Sequence, residues 1–517
     1  MPGTGKWNHT AEPTTATVVG SGPNGLAAAV TLALAGVEVL VLEANPDAGG
    51  GARSRSDLTV DGVLHDTCSA SHPLGVASPF LSSLDLGAHG LAWSHAAVEL
   101  AHPLDGGGGA ALHRSVERTA GGLGAAAGRW RALFGPIVEH LDDTLQDVLG
   151  PLVRVPRHPV GTAFFGGLAL LPARSLARML ADPTAASLFG GSAAHLMAPL
   201  ARPTSAAVGL LLTAAAQQSG WPVAVGGSGR ITSALISVLE ELGGRVETGV
   251  RVRSIEDLPG GGIVMLDTTP AAAVGLLGEH LPTRVARAYG RWRHGPGAHK
   301  VDLAVESGIP WTYEPARRAG VVHLGGSVGE IVANEALVWR GGMPDRPFVL
   351  VGQQYLADPD RSVGDIHPVW AYAHVPHGYT GDATREVLEQ IERFAPGVRD
   401  RIVAVHSTST AGLAASNPNY VGGDIAAGAN SPIQLLTGPG RLLHPYDTGV
   451  PGVYLCSAST PPGAGVHGMC GHLAALEALG DHGIPSAAAS PAPSGPCHTG
   501  RRCSVRLAWH DRATKIH

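Results

Sequence analysis

Gly20, Gly22 and Gly25, spaced as GxGxxG and followed by an acid at Glu43, are the residues of this 517-residue chain best suited to holding a dinucleotide. The first glycine permits a tight turn. The second lets backbone approach a pyrophosphate, and the third lets helix pack closely on strand. An acid about twenty residues further on is placed to accept hydrogen bonds from ribose hydroxyls. In a chain with 72 glycines the spacing alone means little; its setting makes it specific. Residues 15–19 read as a short buried strand, 26–35 as an Ala- and Leu-rich helix stopped by Gly36, and 37–42 as a second strand closed by Glu43. That order turns the free N–H groups and the positive end of a helix toward phosphates.

Two further segments bear on which dinucleotide is meant. NPDAGGGARS follows Glu43 directly, with Gly49 and Gly50 ahead of Arg53. A nicotinamide site does not require this cluster. It resembles the second fingerprint of flavoproteins that bind FAD, where glycines bring backbone to the cofactor and the arginine lies near its phosphates. Toward the other end, PGVYLCSAST reads as a strand and PPGAGVHGMCGH as a Gly- and Pro-rich loop entering the helix LAALEAL. Ser459, Gly465, Val466 and His467 are the cofactor-binding candidates here. A helix start near 465–468 beside N1 and C2=O of a flavin would favour the reduced ring.

With these pieces in view, the chain resembles the phytoene dehydrogenase (carotenoid desaturase) type of FAD-dependent oxidoreductase, closest to the branch named for a pyridine-nucleotide-disulfide oxidoreductase domain. The stretches that carry the resemblance are VVGSGPNGLAAA, EANPDAGGGARS, HDTCSASHPLGVASPF, GWPVAVGGSGRITSAL, NPNYVGGDI and YLCSASTPPGAGVHGMCG, spread over residues 15–480. The resemblance implies an α/β fold: a discontinuous Rossmann-like FAD-binding domain with non-covalent FAD, and a second α+β domain covering an apolar substrate. It also implies that backbone at Val252, on a strand over 250–252, meets the adenine end. Substrate identity does not carry over. The disulfide name is not to be taken literally, since neither CxxC nor CxxxxC occurs.

The resulting layout assigns 14–80, 219–294 and 431–484 to the FAD domain and 81–218 and 295–430 to the substrate domain, with disordered tails at 1–13 and 485–517. Residues 81–218 read as mostly helical. From about 295 to 430, apolar alternation in KVDLAVES, FVLVGQQYL and VWAYAHVP predicts a mixed or antiparallel sheet flooring the substrate cavity. Trp311, His323, Gln353, Tyr372, His374 and Tyr420 are candidates to line it, although each suits packing or a turn equally well.

Composition narrows the function classes. A net charge of -6 with 15% charged residues argues against nucleic-acid binding. The five scattered cysteines form no disulfide framework and suit a reducing cytoplasm. No apolar run reaches the roughly 18 residues of a membrane span, so membrane contact, if any, is expected to be peripheral. No metal set is expected; Cys497, His498 and Cys503 lack a second ligand pair. There is no Ser-His-Asp set, paired carboxylates or HExxH, and no catalytic residue is assigned. His467 is weighed both as an acid or base and as a shape-filling residue under the ring. The expected activity is oxidation or desaturation of an extended apolar, isoprenoid- or lipid-like substrate, with oxygen or a quinone as acceptor. Alternatives are a flavin-dependent saturase or isomerase, and a non-catalytic flavin-binding protein.

Overall fold

Four short, largely apolar strands and a charged edge strand, drawn from three distant parts of the chain, build one parallel sheet. The computed structural model describes residues 14–486; the tails expected at 1–13 and 485–517, including Cys497, His498 and Cys503, lie outside it except for Pro485 and Ser486. The strands are β1 (Thr15–Val19), β2 (Glu38–Leu42), β3 (Arg245–Glu247), β4 (Ile263–Leu266) and β5 (Val453–Leu455), in the spatial order β5-β4-β1-β2-β3. All neighbours run parallel. Strands buried on both faces need helices on both sides. α1 (Pro23–Leu34), α2 (Gly229–Glu241) and α3 (Met469–Asp481) cover one face, and the helices Pro270–Leu277 and Thr283–Gly290 cover the other. Residues Asn24 to Ala33 of α1 are all buried, because α1 packs against the sheet, α2 and α3 at once. Pro23 opens α1, three residues earlier than the apolar run suggests; proline suits a first helical position, where its missing N–H costs nothing.

The second sheet has seven strands, in the order Ile402–Thr408, Gly297–Glu306, Ile366–Val375, Val349–Gly352, Ala319–Leu324, Val98–Pro103 and Gly109–Leu112. It is mixed: Ala319–Leu324 runs parallel to Val98–Pro103 and the other neighbours are antiparallel. The predicted mixed sheet is therefore present, but two of its strands come from the stretch read as mostly helical. Helices fill that stretch only from Val116 onward.

Alternation decides the two faces of this sheet. Val301, Leu303, Val305, Val369 and Ala371 pack on the helix Thr384–Phe394. The opposite face presents Leu350, Trp370 and Tyr372 to the main core. In this register Lys300 lies opposite Tyr372 and Asp302 opposite Trp370. No single helix among the described residues is long and apolar enough to cross a membrane.

Candidate functional site

At the carboxyl ends of β1 and β4 the two glycine loops meet. A Cβ on Gly25 would fall 2.1 Å from the Gly20 carbonyl oxygen, so only glycine lets α1 start this close to β1. A Cβ on Gly50 would fall 2.8 Å from the Gly22 Cα, so the second loop lies backbone on backbone against the first. Gly20 to Asn24, Glu43, Gly50 and Gly51 form one end of a cavity of about 1190 Å³. A sheet's carboxyl edge is where open α/β folds take their ligands.

Glu43 is buried and its carboxylate is already engaged. Oε2 accepts from the Ser21 N–H at 3.0 Å and the Ser21 hydroxyl at 2.6 Å; Oε1 accepts from Asn45 N at 2.8 Å and Asn45 Nδ2 at 3.0 Å. It holds both loops together as well as facing the cavity. Asp267, at the end of β4, accepts the Gly25 N–H at 3.0 Å. Burial pushes its carboxyl up to about 7, with the Glu43 carboxylate adding to the rise against the pull of the Gly25 N–H. The sequence marks Asp267 only as a turn residue. Its position at a strand end beside the glycine turn is the signal that could have identified it.

The third segment runs to the same cavity. α3 begins at Met469, behind Gly468 in the left-handed region. Ser459, Gly465, Val466 and His467 all face the same cavity as the glycine loops. The Met469 N–H donates to His467 Nδ1 at 3.0 Å, so the imidazole caps the helix and its proton sits on Nε2. Burial lowers His467 to about 4, which keeps it neutral. Cys456 and Cys470 are buried and their thiols are pushed up by burial.

Three candidates stand elsewhere than predicted. Gly49 does not line the cavity, and its N–H donates to the Ser21 hydroxyl at 3.1 Å. Arg53 does not face the cavity: its Nε donates to the Gly50 carbonyl at 2.8 Å and Nη2 to the Ser416 carbonyl at 2.9 Å. Those carbonyls hold the arginine as a brace of the second glycine loop. Val252 does face the cavity, but on extended coil rather than a strand. The strand β3 stops at Glu247, and from there Gly249 and Val250 donate to the Asn45 and Glu43 carbonyls, steering the segment across the end of β2.

Beyond the glycine end, the cavity widens into an apolar chamber with walls that include Phe165, Val208, Leu211, Leu350, Trp370 and Tyr372. Outside the dinucleotide end, no carboxylate lines it. Of the chamber candidates, Tyr372 and Tyr420 line it. Trp311 and Gln353 instead bond each other at 3.0 Å in the core below. His323 and His374 lie behind the wall, where His323 meets the cavity-lining His195 at 3.0 Å between Nε2 atoms. Burial lowers His195 to about 3. Next to this chamber, Lys300 is buried and its Nζ donates to Asp302 Oδ2; periodicity alone reads that strand as apolar and gives no hint of the pair.

The comparisons with known proteins agree with this architecture. Residues 18–81 match the family described as NAD(P)-binding Rossmann-like domain. No curated protein matches the sequence. Among solved structures, an oxidoreductase from Methanosarcina mazei is similar at 17% identity and TM-score 0.60, covering 90% of this chain and 100% of its own. Putrescine oxidase bound to putrescine is similar at 16% identity and TM-score 0.56, covering 90% of this chain and 99% of its own. Cyclohexylamine oxidase from Brevibacterium oxydans IH-35A is similar at 14% identity and TM-score 0.54, over 91% and 98%. The chain thus carries a Rossmann-like dinucleotide-binding domain joined to a second sheet domain, in a fold shared along nearly its whole length with these oxidoreductases.

Proposed function

We propose that this chain is an FAD-dependent oxidoreductase that dehydrogenates an extended, uncharged apolar substrate of isoprenoid- or lipid-like character. The observation that carries the reading is a single cavity running from two glycine loops and two helix starts into a carboxylate-free apolar chamber. The residues present fit the cofactor. Asn24 Oδ1 and Thr268 Oγ1 are buried polar atoms without a hydrogen-bond partner, and both residues line the dinucleotide end. Unpaired buried polar atoms are costly unless a ligand satisfies them.

Gly20 to Asn24 and the start of α1 would hold the pyrophosphate, Glu43 and Val252 would flank the ribose and adenine, and the start of α3 would sit by the ring. When bound, the flavin supplies the acceptor for a hydride from carbon, and oxygen or a quinone later takes up the two electrons. The protein's part is to orient the substrate and exclude water. Trp370 and Tyr372, T-shaped at 5.0 Å between ring centres, form a rigid wall of the chamber. His195 and His467 stay neutral near pH 7, so neither puts a charge beside an apolar substrate. The proton lost from the neighbouring carbon leaves with water at the mouth.

A second reading takes Trp370 and Tyr372 as a seat for the ammonium of a monoamine, by cation–π attraction. The test is to purify the protein and record its visible spectrum before and after denaturation. Candidate polyenes, long-chain lipids and amines are then mixed in without oxygen. A releasable yellow chromophore bleached by an apolar substrate supports the proposal. Bleaching by amines alone moves the reading to the second, and a colourless protein that takes up no FAD rules out both.

A further inference from the structure

The exposed apolar side chains of this molecule are not scattered. Of the 19 large hydrophobic residues exposed among the described residues, 11 fall in residues 150–181 and 425–445. These two stretches meet at the chamber's mouth, where Leu152, Leu170 and Leu436 line the cavity while remaining 53%, 66% and 52% exposed. Val155, Val160 and Ile433 of the same stretches are 90%, 83% and 74% exposed and do not line this cavity. Scattered exposed apolar residues need no explanation, but a patch of this kind around a cavity entrance marks an interaction site.

The charge of the same stretches says what the partner is. Residues 150–181 contain four arginines and no Asp or Glu, in a chain whose net charge is -6. Arg154, Arg157, Arg174 and Arg178 are all exposed, and none forms an ion pair among the described residues. Residues 425–445 also lack carboxylates, and their one arginine, Arg441, is paired with Asp447 at 2.6 Å. Leu152 and Leu170 of the first stretch line the same cavity as Leu435 and Leu436 of the second, so the two stretches share one rim.

We propose that this rim docks on an anionic lipid bilayer, and that the chamber opens into the leaflet. The apolar side chains enter the acyl boundary while the arginines meet headgroup phosphates. The helices here, Pro159–Ala169 and Ala173–Met179, bend by 99° and are too short to span about 30 Å of hydrocarbon. The contact is therefore one-sided. It goes beyond the redox reading and can be tested apart from it.

The test uses the full-length purified protein with whatever cofactor it carries. It is sedimented with vesicles of phosphatidylcholine, and with vesicles containing about one-third phosphatidylglycerol. The protein is expected to pellet with the anionic vesicles and to be released by raised salt. Arg154→Gln with Arg174→Gln should lower partitioning roughly tenfold or more. Val155→Asp with Ile433→Asp should abolish it, with unchanged thermal midpoints in both variants. Failure to bind either vesicle overturns the proposal, as does binding that ignores both variants. A dimer that these aspartates dissociate, without vesicle binding, would assign the face to a second copy of this chain instead. A colourless protein that still binds vesicles would remove the redox reading and leave this one standing.

Discussion

A Cβ placed on Gly471 would fall 1.7 Å from the carbonyl oxygen of Asn24. Both residues lie in the first turn of their helices, α3 and α1, so this contact is what brings two positive helix ends to one cavity. Neither helix could approach so closely with any side chain at 471.

Gly471→Ala is expected to destabilise the protein by about 3 kcal/mol or more, because backbone rather than a movable side chain must give way. The same protein should lose visible absorbance on gel filtration. Gly480→Ala, in the last turn of the same helix and with nothing within 4 Å of its Cβ, is the control. It should be neutral or gain up to about 1 kcal/mol. Thermal melts and the absorbance ratio of the two variants decide the matter.

Asp267 predicts a pH dependence of opposite sign to that of most carboxylates. Its folded value, raised to about 7 from 3.8, means the folded state binds a proton that the unfolded chain has released. Stability from this group is complete below about pH 4 and is lost as pH rises toward 7, by roughly 4 kcal/mol at most. Asp267→Asn should remove that slope, read as the difference between the two proteins in denaturant titrations from pH 4 to 8. With FAD bound, phosphate beside this carboxyl should make wild-type cofactor release increase above pH 7, followed by flavin fluorescence. The Asn variant should show no such increase.

Val208 faces the chamber from the helix Ala206–Gln218, away from the glycine loops. Val208→Trp should leave the yellow chromophore in place yet slow its bleaching by an apolar substrate about tenfold or more, since the added ring fills space that the substrate needs. Unchanged bleaching would show that substrate binds elsewhere.

The fold around the glycine turn was readable because its signals are local. Gly20 to Glu43 is one βαβ unit whose turn, helix and strand all lie within thirty residues, and Ser459 to His467 precedes its helix directly. Arg53 was misplaced because its partners are carbonyls, one of them on Ser416, that no local pattern reveals. Asp267 and the Lys300–Asp302 pair escaped for the same reason: their roles arise from strand ends and cross-strand neighbours. The strand at Val98–Pro103 was hidden because all of its residues are buried, which erases alternation. The exposed apolar rim carried no amphipathic-helix signal, since its residues sit on short bent helices and coil.

Arg361 makes another of these hidden long-range contacts and gives the last prediction. It is buried, and donates to Asp66 Oδ2 at 2.6 Å, Asp358 Oδ2 at 2.9 Å and the Ala224 carbonyl at 2.7 Å, tying the segment after the second glycine loop to the second sheet domain. Burial alone would raise the Asp66 carboxyl, but Arg361 beside it and the Ser228 N–H carry it below the usual carboxylate range. Its stabilisation is therefore present above about pH 4 and is lost as pH falls further. Arg361→Ala leaves Asp66 buried without its counter-charge and should cost about 3–5 kcal/mol near neutral pH. In that variant burial prevails, the Asp66 value moves above the unfolded one, and the slope reverses, so stability recovers as pH falls from 7 toward 4. A wild-type-like slope in the variant would mean that the Ser54 and Ser228 donors alone hold Asp66 ionised.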